Sequence, residues 1–287
     1  MTAAGRPFRQ VNVFSPEPTA GNPVAVVHDA DGLTDARMAA FARWTNLSET
    51  TFLLPPTPAG RDGGADYRVR IWTPGGELPF AGHPTLGTAH AWLEAGGAPA
   101  GDGVVQECGV GLVTLRRDGD RLAFQAPPLV RSGPVDDADL ARIARSLRVG
   151  PADVVRAAWI DNGPGWVAVQ LADAAAVLTL QPDLVAMGDL KVGVVGEQPA
   201  EARGAGGPAV EVRAFVPSLG VGEDPVTGSL NAGLGQWLAG DVLPSSYVAA
   251  QGTALGRAGR VHVAKLPDGA VWVGGDTVTT VLGEVRL

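Results

Sequence analysis

At 287 residues with 45% hydrophobic side chains, the chain can bury a large core and suits either one large domain or two of about half that size. Thirty acidic against 22 basic side chains leave a net charge near −8, which repels phosphate backbones and argues against a nucleic-acid partner. No apolar run of about 20 residues is present to span a bilayer, the start MTAAGRPFRQVNVF carries no apolar leader, and the single cysteine, Cys108, permits neither an internal disulfide nor a cysteine-built metal site; a soluble, cytoplasmic protein without a membrane partner is expected.

Taken in order, residues 9–14, 23–28, 51–54, 67–72, 110–116 and 122–126 read as strands, each mixing β-branched or aromatic residues between turn formers. Residues 34–44 read as a helix with Thr34 as N-cap and Met38, Phe41 and Ala42 on its apolar face. A second helix over 84–94 is closed by Gly96 and Gly97. The second half repeats the mixture: a helix over 136–146, strands near 154–160 and 166–171, a short helix near 183–187, and strands at 192–195 and 210–216. A helix from about 230 to 238 follows, then strands at 259–264, 270–274 and 277–282. The 40 glycines and 23 prolines are scattered, so they mark tight turns rather than one disordered tract. An α+β fold is expected.

The segment RIWTPGGELPFAGHPTLGTAHAWL, residues 70–93, matches RAFVPSLGVGEDPVTGSLNAGLGQWL, residues 213–238. Each begins a strand with Arg, places an aromatic residue two positions on, passes a glycine-containing loop with an acid, and enters a helix that ends in Trp-Leu. The copies lie half a chain apart, which predicts two related domains. The expected division is an N-terminal domain over 1–128, with the last strand (about 277–287) as a candidate to complete it, and a C-terminal domain over 129–276. The join falls near 127–134, and the two loops are expected to face each other across a cleft.

In each copy a strand delivers a turn directly into a helix N-terminus, where unpaired N–H groups and the helix dipole favour an anion. Gly82-His83-Pro84-Thr85 is one such turn; Thr227-Gly228-Ser229, after Glu223-Asp224-Pro225, is the other. The competing reading is a pair of ordinary helix caps. Glu49 lies between a helix end and an apolar strand, so it is either a partly desolvated proton carrier with a raised pKa or a solvated loop acid. Thr19 to Pro23 is, by itself, a turn. Cys108 has no adjacent His and sits before an expected core strand, which makes it structural. His90 reads as packing or surface, and His28 and His262 belong to strand regions without a motif. The histidines lack ligand spacing, so no metal site is expected. The glycines of 204–208 lack the strand-to-helix context of a dinucleotide loop and read as a surface loop.

Five segments in order resemble the phenazine-biosynthesis isomerases (PhzF-like), a family that shares its fold with diaminopimelate epimerase. They are VNVFSPEPTAGNPVAVV at 11–27, ARWTNLSETTFLLPP at 42–56, residues 70–93, residues 215–238 and QGTALGRAGRVHV at 251–263. The resemblance implies two pseudo-symmetric domains, each a sheet curled around a central helix, with the active site between them, no cofactor and a homodimer. It assigns the catalytic proton carrier to Glu49 of SETTF, with His83, Asp224 and Ser229 as its catalytic companions. Asn22, Ser48, Gly82, Pro84, Thr227 and Gly228 then form the substrate-binding surface for a small carboxylate-bearing molecule. The family's best-known reaction isomerises a dihydro-hydroxyanthranilate.

Diaminopimelate epimerase places two cysteines at these facing loops. Here the positions hold Gly82-His83 and Gly228-Ser229, so a two-thiol racemase is disfavoured. Epimerisation by Glu49 and His83, and a binding protein without turnover, stay open as alternatives.

Overall fold

A computed structural model describes residues 5–204 and 206–287. The first half runs β1 (Gly5–Val13), β2 (Asn22–Val27), α1 (Asp35–Thr45), β3 (Glu49–Leu54), α2 (Pro58–Asp62), β4 (Tyr67–Thr73), β5 (Gly76–Leu78), α3 (Gly82–Glu94), β6 (Val104–Cys108), β7 (Gly111–Asp118) and β8 (Arg121–Gln125). The second runs β9 (Arg131–Pro134), α4 (Asp137–Leu147), β10 (Arg156–Asp161), β11 (Trp166–Gln170), α5 (Ala174–Leu178), α6 (Leu184–Met187) and β12 (Lys191–Glu197). It continues with β13 (Val210–Phe215), β14 (Glu223–Asp224), α7 (Gly228–Leu238), β15 (Ser246–Gln251), β16 (Gly259–Lys265), β17 (Val271–Gly275) and β18 (Thr277–Arg286). The mixed α+β expectation holds.

The pairing pattern of the first half recurs in the second. β1 pairs antiparallel with β2, β2 parallel with β3, β3 antiparallel with β4 and β4 parallel with β6, after which β7 and β8 follow antiparallel and β5 rides on β4. β10, β11, β12, β13, β15, β16 and β17 repeat that sequence of senses, with β14 riding on β13. The halves meet where β8 pairs with β17, and the strand following each of these crosses to the opposite sheet: β9, after β8, pairs with β10, and β18, after β17, returns to β1. Residues 131–134, expected in the join, are therefore a strand. Cys108 stands ahead of a strand, as expected, and also closes one: it ends β6, and Gly109 and Val110 turn the chain into β7.

The matched arginines explain why the repeat is visible in sequence. Arg70 on β4 makes a bidentate pair with Glu77 on β5, and Arg213 on β13 makes the same pair with Glu223 on β14, at 2.6–2.7 Å and 2.7–2.9 Å. Each guanidinium also lies over the aromatic residue two positions on, Trp72 or Phe215. The fork clamps the short hairpin that precedes each central helix.

α3 and α7 are buried over most of their surface, including their first eight residues, so each serves as the centre of a curled sheet and not as an amphipathic cover. Their glycines let strands approach: a Cβ on Gly87 would meet Val24 Cγ1 at 2.4 Å, and one on Gly233 would meet Ile160 O at 2.5 Å. The outer faces of the sheets carry separate layers. α1 sets Met38 and Phe41 against Phe52 and Trp72, and α4 sets Ile143 and Leu147 among Val167, Val169 and Phe215. A strand covered on both faces reads as a near-continuous apolar run, as β11 (WVAVQ) does. No helix among the described residues is long and apolar enough to cross a membrane.

Candidate active site

The two central helices meet end to end. Gly82 and Gly228 touch backbone to backbone, since a Cβ on Gly82 would stand 2.5 Å from Gly228 C and one on Gly228 2.8 Å from Gly82 Cα. Both helices begin two residues earlier than the sequence suggests, and neither has a side-chain cap. The reading of these turns as ordinary capped starts is thereby corrected. Thr227, at the N-cap position of α7, spends its hydroxyl on Asp224 instead.

Glu49 opens β3 after α1 ends on Asn46 in the left-handed region, and the parallel ladder sets it beside Val24 of β2. Only 7% of it is exposed. Its Oε2 has no hydrogen-bond partner and lies 3.5 Å from Nε2 of His83, an atom equally buried and unpaired. On the far side of the ring, Nδ1 of His83 stands 3.2 Å from the Asn22 side-chain nitrogen. That nitrogen donates to Asp224 Oδ1 at 2.7 Å and to the Val226 carbonyl at 2.9 Å, while Asn22 Oδ1 accepts from Ser48 Oγ at 3.0 Å. One amide thus joins segments more than 200 positions apart. Asp224 Oδ2 accepts from Thr227 Oγ1 at 2.5 Å, and Thr227 is held at its N–H and its hydroxyl by Gln251, at 3.0 and 2.9 Å.

Burial dominates the electrostatics. Desolvation, helped by the nearby Asp224 charge, raises the Glu49 carboxyl well above the usual carboxylate range. Asp224 is pushed up to about 6, again by desolvation, against the hydrogen bonds from Thr227 and Asn22 that favour its charge. Desolvation lowers His83 to about 3, so the imidazole is neutral near neutral pH. The two carboxyls titrate as a coupled pair. Asp224 receives donors on both oxygens, which favour its charged form, whereas Glu49 Oε2 receives none.

Glu49, His83 and Asp224 each present a donor atom, all within 4.8 Å of one another, although the histidine spacing announced no metal site. Such a set could hold a divalent ion, but both Asp224 oxygens are already engaged by Asn22 and Thr227. A narrow cavity of about 20 Å³, room for one water, lies against this cluster. Ser48, Glu49, Asp224, Thr227 and Ser229 form its polar wall; Leu78, Pro164 and Trp166 stand among the apolar residues that complete it.

The pseudo-symmetry shows how far the halves have diverged. In the equivalent ladders Glu49 is aligned with Val24 and Lys191 with Trp166, so Lys191 holds the place of Glu49. By the same correspondence Leu78 stands for Asp224 and Ser229 for His83. The acid/base groups therefore gather on one side of the cavity, and its image offers no second carboxylate or imidazole.

The family model of phenazine biosynthesis-like proteins (PhzC-PhzF) matches residues 11–283. The chain belongs to this family. Among its relatives, antisense-enhancing sequence 1 of Schizosaccharomyces pombe is 35% identical over 96% of this chain and 97% of its own. The trans-2,3-dihydro-3-hydroxyanthranilate isomerase of Pseudomonas aeruginosa is 37% identical over 76% and 74%. A solved PhzF-family structure from Bacillus anthracis superposes with a TM-score of 0.80 at 22% identity, covering 99% of this chain and all of the other.

Within this PhzF-family fold, the sequence-named residues converge on one place. Glu49, Asp224, Ser229, Ser48 and Thr227 line the cavity; His83 and Asn22 stand directly behind it. Gly82 and Gly228 are occupied with each other, and Pro84 lies buried in the first turn of α3 without lining the cavity. The residues not anticipated are Trp166, Gln251, Leu78 and Pro164. Trp166 read only as a strand start, and Gln251 sat inside a matching segment without a role, so neither carried a signal of its own. The remaining histidines lie away from the cavity lining: His90 hydrogen-bonds Thr277 and Thr279, and His28 contacts Arg9. Cys108 is half-buried and its thiol is pushed up by desolvation, the opposite of an activated nucleophile.

Proposed function

We propose that this PhzF-type isomerase moves a proton between two carbons of a small unsaturated amino or hydroxy acid of the dihydro-hydroxyanthranilate kind, with Glu49 removing and returning it. The observation that carries this reading is the buried, unpaired Glu49 Oε2 facing the unpaired Nε2 of a neutral His83 at 3.5 Å. Burial raises that carboxyl well above the usual carboxylate range, which makes its ionised form a stronger proton acceptor than an ordinary carboxylate.

In the proposed step a carbon–hydrogen bond breaks, its proton passes to Glu49, and the electron pair is delocalised into the substrate's unsaturated system. The proton is then delivered to a second carbon on the same face, and a double bond shifts with no net redox change. His83 can relay that proton within the pair, while Asp224 remains anionic under its two donors and binds the substrate's amino or hydroxyl group. The uncapped N–H groups at the starts of α3 and α7, with Ser229, would hold the carboxylate and oppose the charge that develops as carbon is deprotonated. Lys191, the counterpart of Glu49, does not line the cavity, which supports transfer on one face over inversion.

Incubation with trans-2,3-dihydro-3-hydroxyanthranilate in D₂O, followed by NMR, tests the proposal. Conversion to the isomerised ketone with exchange at carbon is expected. Recovery of the acid unchanged and undeuterated contradicts it.

A further inference from the structure

Ser229 is the second residue of α7, in the place His83 takes on α3. Its hydroxyl oxygen accepts the indole N–H of Trp166 at 3.0 Å, and its carbonyl accepts from Asn162 Nδ2 at 2.9 Å. All three residues are buried, Trp166 to 2% exposure and Asn162 completely. An indole N–H can only donate, so this contact fixes Ser229 Oγ as the acceptor and forbids its proton from pointing back at Trp166. Among the described residues no side-chain or backbone acceptor takes that proton, and Ser229 and Trp166 line the same cavity as Glu49 and Asp224.

We infer that Trp166 is a positioning residue: by occupying the acceptor side of Ser229, it turns the hydroxyl into a one-directional donor aimed at the carboxylate of the bound acid. A serine near a helix start otherwise samples several rotamers and can satisfy itself on local backbone carbonyls. The indole removes that freedom. It also explains why a bulky aromatic begins β11 while its counterpart at the equivalent point of β2 is Val24: only the second half has a hydroxyl to orient, since on α3 the corresponding residue is His83, held by Asn22. The inference rests on the proposed reading for the presence of a carboxylate, and the neighbouring helix N–H groups supply the rest of its binding.

The test uses anthranilate, a planar amino acid that cannot undergo the isomerisation, as a calorimetric probe, beside turnover of trans-2,3-dihydro-3-hydroxyanthranilate. Trp166→Phe and Ser229→Ala are each expected to weaken anthranilate binding about tenfold, the scale of a hydrogen bond to a charged group. The double variant should bind no more weakly than Ser229→Ala alone. In turnover the loss in Trp166→Phe should fall on KM with kcat little changed, and Trp166→His, which keeps a ring N–H, should recover part of it. The indole N–H resonance of Trp166 should move in Ser229→Ala, a check that needs only the folded Ser229→Ala protein should Trp166→Phe fail to fold. Wild-type affinity in Trp166→Phe, losses that add in the double variant, or an unmoved indole resonance overturns the inference. Anthranilate binding that follows the expected pattern without turnover of the dihydro acid upholds the inference and sinks the proposed reaction; failure of the wild-type protein to bind anthranilate sinks the inference.

Discussion

The end-to-end contact of the central helices makes Gly82 the position where one methyl group does most damage. A Cβ there would lie 2.5 Å from Gly228 C and 2.6 Å from both Gly228 Cα and Ser229 N. These are backbone atoms in a buried helix start, so no side chain can swing aside. Ordinary carbon contacts lie near 3.5–4.0 Å, and the helix ends must part by roughly 1 Å to reach them. Overpacking of this kind costs about 3 kcal/mol, the upper part of its usual range, because the whole helix end has to yield. For a chain of this order that is a fall of roughly 5–10 °C in melting temperature. The same displacement carries His83 and Ser229 with it, and a shift of about 1 Å at a reacting geometry lowers the rate on the order of 100-fold. Scanning calorimetry and turnover of Gly82→Ala and Gly228→Ala measure both effects. Gly101→Ala is the control, since a Cβ at that exposed glycine meets nothing within 4 Å. Wild-type melting and turnover in Gly82→Ala would refute the contact.

The titrating groups predict opposite pH limbs. His83 is lowered to about 3 from an ordinary 6.5, so the unfolded chain binds the extra proton and stability is lost as pH falls from about 6.5 toward 3; urea midpoints at pH 7 and 4 should differ less in His83→Asn than in the wild type. Asp224, raised to about 6, contributes stability that is present below about 4 and lost as pH rises through 6, by at most about 3 kcal/mol. Asp224→Asn should flatten that stretch, and an unchanged slope between pH 4 and 7 argues against a perturbed Asp224. Arg213→Met should cost about 3 kcal/mol by stranding Glu223, whose side chain is only 12% exposed, beside a buried site. Arg142→Met, whose partner Asp189 is exposed, should leave the melting temperature unchanged.

Much of this arrangement was legible because its causes are local. Arg70 and Arg213 recur because each must clamp a hairpin before a central helix, and Gly82 and Gly228 recur because nothing larger fits between the helix ends. Element type followed from the β-branched runs and from the Thr34 cap, which accepts from Arg37 N as its position suggests. Strands such as β6 and β15 were missed because their pairing partners lie far along the chain and their sequences, VVQEC and SYVAAQ, are short and mixed. The starts of α3 and α7 were misplaced because glycine is a poor helix former whose place there is set by contact between helices, a tertiary cause. Glu49 was ambiguous from pattern alone, since its burial depends on α1 delivering it to the start of β3 beside Val24. Trp166 was invisible because its role depends on a hydrogen bond to a residue 63 positions away.

The proton-carrying role of Glu49 is tested most directly by Glu49→Gln, which keeps the size and shape of the side chain and removes only its exchangeable acid. Deuterium incorporation from D₂O into the carbon skeleton of trans-2,3-dihydro-3-hydroxyanthranilate should fall by about 1,000-fold or more, within the range general acid–base catalysis supplies, while melting temperature and anthranilate binding stay near wild type. Incorporation at the wild-type rate in Glu49→Gln would contradict the account and move the proton to another group.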